Sequence, residues 1–199
     1  MMSDYELLDK AYMSLDKDLL WQAIDRNIDL NMPDEDGIAL WDEIALGFPG
    51  IAERSIYENY VESRKVIIED DIMGFMKIAI EHGLNLNIVQ LNDAGEKYSP
   101  LAWLIDCARC PEFLSFLLKN GADPNLRVDE DHMLIDVLDF SCYHCMLHCY
   151  EGRELWLRWA IHYLKANGAA SAKDSMYCDK DRDYYHSKMD PVLVWLLKH

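Results

Sequence analysis

Cys107 and Cys110 form a C-x2-C pair in "CARC", and "SCYHCMLHCY" at 141–150 adds Cys142, Cys145 and Cys149 with His144 and His148. Thiolates and imidazoles at such spacings are the donors that a tetrahedral zinc takes. Two features oppose that reading. The 31 residues between Cys110 and Cys142 exceed the usual spacing of a zinc ribbon. Cys142, Cys145 and Cys149 also fall at i, i+3 and i+7, one face of a helix, where reduced cysteine packs as a small hydrophobe. The expectation is buried thiols and no metal, with a zinc site in the 107–149 cluster as an alternative.

Catalytic chemistry has less to work with. His132, His144, His148, His162 and His186 stand at no recognisable spacing from a nucleophile, and there is no G-x-S-x-G, H-E-x-x-H or phosphate-binding glycine loop. Carboxylate pairs are frequent, but 36 acidic residues against 19 basic ones make a chance pair uninformative. The chain reads as a non-enzyme without a cofactor. Its net charge of −17 repels nucleic acid and anionic lipid and attracts basic proteins. No apolar run approaches the ~20 residues that span a bilayer. The acidic start "MMSDYELLDK" is not a secretory signal. The expectation is a cytoplasmic protein with its six cysteines reduced.

Charge needs elements to position it, and "LLKNGADPNL" at 117–126 shows how they are joined. Gly121 follows an apolar helix where φ > 0 is wanted, Asp123 and Asn125 can close a turn on backbone amides, and Pro124 stops the helix from resuming. The same grammar recurs in "KIAIEHGLNLN" at 77–87, in "LLWQAIDRNIDLN" at 19–31 with Asn27 in the glycine's place, and in "IHYLKANGAASA" at 161–172. After the first three come acidic turns, "MPDEDG", "IVQLNDAGEK" and "LRVDEDH", each leading into another short helix. Such a unit of helix, turn, helix and loop buries its apolar faces only by stacking on neighbours.

The stretch 99–125, "SPLAWLI…EFLSFLLKNGADPN", resembles the ankyrin repeat family, with its Thr-Pro-Leu-His opening and Gly-Ala-Asp-x-Asn ending. The resemblance implies an all-α fold, an ankyrin-repeat solenoid of about four to five helix-turn-helix repeats. It also implies that Ser99 caps a helix whose first turn holds Pro100. Asn31, Asn87 and Asn125 lie 56 and 38 residues apart, against a family period of ~33, so the first gap implies an insertion around 47–70, and another is expected between the helices of the fourth unit, around 141–152. The single domain 1–199 then divides into an N-terminal degenerate repeat (1–31), a repeat with insertion (32–87), the best-typed repeat (88–125), a second repeat with insertion (126–172) and a C-terminal partial repeat (173–199).

In that family the loops project from one edge, and such domains bind other macromolecules. Here the loops carry Asp34, Glu35 and Asp36, then Asn92, Asp93 and Glu96, then Asp129, Glu130 and Asp131. With Tyr98 and Trp103 these make the expected partner-binding surface, suited to a basic protein in a complex with an otherwise monomeric chain. Trp103 and Trp41 stand where the family's concave face begins, although burial is the commoner fate of large apolar groups. Trp21 and Trp156 lie in apolar helical patterns and are expected in the core. An acidic inhibitor or immunity protein that neutralises a toxin or nuclease is the functional expectation; a general adaptor that recognises a peptide on the concave face is the alternative.

Overall fold

A computed structural model describes residues 2–35, 37–47, 71–91, 95, 97–147 and 151–170, and within residues 142–152 only the backbone. The described chain is mostly helical. It forms two compact units, Met1–Ala122 and Asp123–His199.

In the first unit, α1 (Asp4–Ser14) and α2 (Lys17–Asp25) form an N-terminal pair. Ser3 opens α1 with a capping box: its hydroxyl accepts the Glu6 amide at 3.2 Å while the Glu6 carboxylate accepts the Ser3 amide at 2.8 Å. Asp16 caps α2 through the amides of Asp18 and Leu19. A 3-10 helix over Leu40–Gly47 packs on α1, and α3 spans Met73–Glu81. Strands β1 (Gln90–Leu91) and β2 (Lys97–Tyr98) pair antiparallel and lead into α4 (Pro100–Ala108) and α5 (Pro111–Lys119). Ser99 accepts the Ala102 amide, with Pro100 in the first turn, as the resemblance implied.

The second unit contains α6 (Leu134–Leu147) and α7 (Glu151–Ala166), which pack on each other. They run 14 and 16 residues, where α4 and α5 have 9 each. The stretch 141–152, where an insertion is expected, covers the end of α6 and the start of α7, with residues 148–150 outside the described residues. The other expected insertion, apart from its first residue Gly47 and beyond to residue 70, and the expected partial repeat at 173–199 lie outside the described residues.

The four joints have one geometry. Asn27, Gly83, Gly121 and Gly168 adopt φ of 55°, 107°, 98° and 94°. Just past them the amides of Ile28, Leu84, Ala122 and Ala169 reach back to Ala23, Ala79, Leu117 and Leu164 at 2.9 to 3.0 Å. Positive φ turns the chain so that these amides meet carbonyls the helix end leaves unpaired. Asp29, Asn85 and Asp123 then each accept the amide two residues on, closing the turn at Asn31, Asn87 and Asn125. Those three asparagines clamp each joint to the next. Asn31 donates to the Gly83 carbonyl (3.0 Å) and accepts from the Asn85 amide (2.8 Å). Asn87 donates to the Gly121 carbonyl (2.8 Å), and Asn125 pairs with the Gly168 carbonyl and the Ala170 amide. Asn87→Ala is expected to lower stability by about 1 kcal/mol, the net worth of such a bond, with no change in helix content. Urea unfolding followed by circular dichroism measures both.

After the first three joints the chain turns back on itself. Pro33 bridges Ala39, β1 pairs with β2, and Arg127 bridges Met133. The Leu40 amide reaches the Met32 carbonyl just as the Leu134 amide reaches the Leu126 carbonyl. The first and third of these turns thus share one hydrogen bond in the same register.

Burial follows the apolar stripes, with one correction. Trp41, Trp156 and Trp159 are buried, but Trp21 is 43% exposed. Helix α2 turns Leu20 and Ala23 inward; Trp21 is a full ~100° step round from Leu20 and lies edge-on to His82, ring centroids 5.0 Å apart. Expecting it in the core counted the apolar run and missed the phase.

Candidate functional site

The two hairpin turns that are described use their first acid for structure. Asp34 accepts the Ile38 amide at 2.8 Å and closes the first. Asp129 accepts the amides of Asp131 and His132, both at 2.7 Å, and the His132 ring at 2.8 Å. The hydrogen bond from His132 is the main reason that the Asp129 carboxyl lies below its ordinary value. Turn chemistry accounts for these two residues, as expected for aspartate at such positions. The acids that follow, Glu35 in one turn and Glu130 and Asp131 in the other, are exposed. Asp36, Asn92, Asp93 and Glu96 lie outside the described residues.

In the first unit, more carboxylates gather around the first turn than its own sequence supplies. Asp9 of α1, Asp34 and Glu35 of the turn and Glu43 of the 3-10 helix all act on the phenol of Tyr5, whose pKa is raised by desolvation and then by these charges. The Glu43 carboxyl is also raised, by desolvation first and then by Asp9 and Asp34. Asp42 completes the group. Burial pushes its carboxyl up to about 6, against a hydrogen bond from Tyr98 that pulls it down, and Glu43 and Asp34 add to the rise. Tyr98 donates its hydroxyl to both Asp42 oxygens, at 2.8 and 2.9 Å. Among the described residues, no lysine, arginine or histidine is paired with Asp42.

Four carboxylates from three elements therefore neighbour Tyr5, which is 38% exposed, and a fifth, Asp42, lies largely buried beside Glu43 and Asp34. Mutual repulsion at such a place is unfavourable in the isolated protein and is relieved by an incoming cation. Asp42 makes this measurable. Its carboxyl takes up a proton more readily in the folded than in the unfolded chain, so its contribution to stability is full below about pH 4 and is lost as pH rises through about 6. Asp42→Asn, which keeps an acceptor for Tyr98, is expected to stabilise the protein by about 2 kcal/mol at pH 7 and by almost nothing at pH 4. Thermal unfolding at the two pH values checks the sign.

Of the residues expected at a partner surface, Asp34, Glu35 and Tyr98 belong to this group. Trp103 is half-buried on α4, and Asp129, Glu130 and Asp131 belong to the second compact unit. Tyr5, Asp9, Asp42 and Glu43 were not foreseen.

The cysteine cluster is described only in part. Cys107 and Cys110 are buried and outside any disulfide, and burial pushes the Cys110 thiol up to about 12. A thiol so raised is protonated at neutral pH and a poor nucleophile. The side chains of His144, His148, Cys142, Cys145 and Cys149 lie outside the described residues. No described helix is long and apolar enough to cross a membrane. Scans against protein-family models and curated proteins found no match to the chain.

Proposed function

We propose that the chain is an ankyrin-type repeat domain whose work is binding another protein, and that it acts as an acidic inhibitor or immunity protein against a basic toxin or nuclease. The repeated joints, with their positive-φ residue, their two-residue turn and the asparagine reaching the next joint, support the repeat reading. The observation that carries the functional reading is the convergence of Asp9, Asp34, Glu35 and Glu43 around Tyr5 in the first unit, with Asp42 beside Glu43 and Asp34. Folding places these charges together against their own repulsion, and a cationic partner turns that cost into steering and affinity.

An inhibitor of this kind covers the cations by which a nuclease or toxin holds its substrate. One equivalent of the protein is expected to abolish the activity of its cognate enzyme, with an association rate that falls steeply as ionic strength rises. Stopped-flow mixing at a series of salt concentrations, alongside activity titration, is the test. Association indifferent to salt, or a complex that leaves the enzyme active, would refute the proposal.

A further inference from the structure

Two of the four joints are built on an asparagine followed by a glycine, Asn120–Gly121 and Asn167–Gly168. In such a pair the glycine amide nitrogen, with no side chain of its own residue to screen it, can attack the side-chain carbonyl carbon of the asparagine. A carbon–nitrogen bond forms, ammonia leaves, and a five-membered succinimide results. Water then opens that ring at either carbonyl, giving aspartate or isoaspartate, the latter with one extra carbon in the main chain. The other two joints suit this chemistry poorly: His82 precedes Gly83, and the branched Ile28 follows Asn27.

The folded joint opposes the reaction while leaving it within reach of water, since Gly121, Asn167 and Gly168 are exposed. Asn120 and Asn167 donate their side-chain amides to the Phe116 and Tyr163 carbonyls, both at 2.8 Å, which holds each side chain over its own helix. The attacking nitrogens, those of Gly121 and Gly168, donate to the Leu118 and Lys165 carbonyls at 3.4 and 3.1 Å. At Asn120 a ψ of 20° turns the glycine nitrogen away from the side chain it must reach. The last restraint comes from the preceding joint. Asn87 donates to the Gly121 carbonyl and Asn125 to that of Gly168, so neither glycine rotates without breaking a clamp.

The product would not refit the joint. An aspartate at either site has no N–H to offer the carbonyl four residues back, and its charge stands at the carbonyl end of a helix, where a cation is favoured.

We propose that Asn120 and Asn167 are deamidation sites, each held in check by the asparagine of the preceding joint, so that opening of a joint is recorded irreversibly as aspartate or isoaspartate.

Peptide mapping by mass spectrometry tests it on the full chain, incubated in mildly alkaline buffer with and without urea. Both sites are expected to react in the native protein, at least roughly 10-fold more slowly than in urea. Asn87→Ala is expected to speed the reaction at Asn120 by roughly 3- to 10-fold and to leave Asn167 at the wild-type rate, while Asn125→Ala does the reverse. Circular dichroism of the same samples checks that both variants keep native helix content. Equal rates with and without urea, or no reaction at either site in the native protein, overturns the proposal. So does a variant that leaves its own site at the wild-type rate, or one that speeds both sites alike, because the joints would then open only with the whole fold.

Discussion

Replacing Asp34, Glu35 and Glu43 together with lysine is expected to weaken binding of the cationic partner by at least roughly 100-fold, about 3 kcal/mol. Each substitution removes an attraction and adds a repulsion, and like charges set opposite each other across an interface are worth several kcal/mol. Glu35 and Glu43 make no described hydrogen bond, so their replacement leaves the fold's own contacts in place; Asp34 gives up its bond to the Ile38 amide. Loss of that turn closure is offset by relief of the repulsion from Asp9 and Asp34 that adds to desolvation in raising Glu43. The triple variant is therefore expected to unfold within a few degrees of wild type while failing to bind, a combination that separates a binding surface from a structural one. Calorimetric titration with the partner and a thermal scan of the same samples measure both.

Phe75→Ala is expected to have the largest effect on stability, about 3–5 kcal/mol for a fully buried phenylalanine. Phe75 lies on α3 and meets the ring of Tyr12 on α1 edge-on, centroids 5.9 Å apart and planes at 72°. Tyr12 in turn donates its buried hydroxyl to the Leu30 carbonyl, 2.7 Å away in the first joint. Removing the Phe75 ring leaves a cavity between α3 and α1 and takes support from the residue that holds the first joint. Since a domain's whole stability is commonly ~5–15 kcal/mol, this change brings the protein close to unfolding at physiological temperature. Phe140→Ala removes the same ring from a position 69% exposed and is expected to change stability by less than about 0.5 kcal/mol. Guanidinium unfolding of the two variants side by side checks the contrast.

The joints were legible in the sequence because their chemistry is local. A glycine or asparagine at positive φ, an Asx residue two before an asparagine and a helix before them occupy fewer than a dozen residues, and each element needs nothing distant to be read. The equivalence of Asn31, Asn87 and Asn125 was legible too; that each reaches the following joint was not, because the partner carbonyls lie 34 to 52 residues on. Trp21 shows the limit of an apolar count on a short helix, where one residue of phase separates the core from solvent.

The acidic face was half legible. Asp34 and Glu35 announce themselves as a run, but the run's first member is spent on its own turn, and Asp129 is spent the same way. What gathers around them is Asp9 on α1 and the adjacent pair Asp42 and Glu43 on the 3-10 helix, acids that nothing in the sequence ties to the turn. Only packing of α1 against the 3-10 helix puts them together. Tyr98 stood among the expected surface residues, and its structural place is more specific: it holds the one carboxylate of the group that burial raises to about 6.

The central claim, that these clustered acids exist to hold a basic protein, is tested most directly by capture from the native cell with two baits. Wild type and the variant with lysine at Asp34, Glu35 and Glu43 would be immobilised in parallel and washed at low and high ionic strength. The account predicts one basic protein retained by wild type at low ionic strength, released as salt rises and never retained by the lysine variant. The same protein held equally by both baits at both ionic strengths would contradict it.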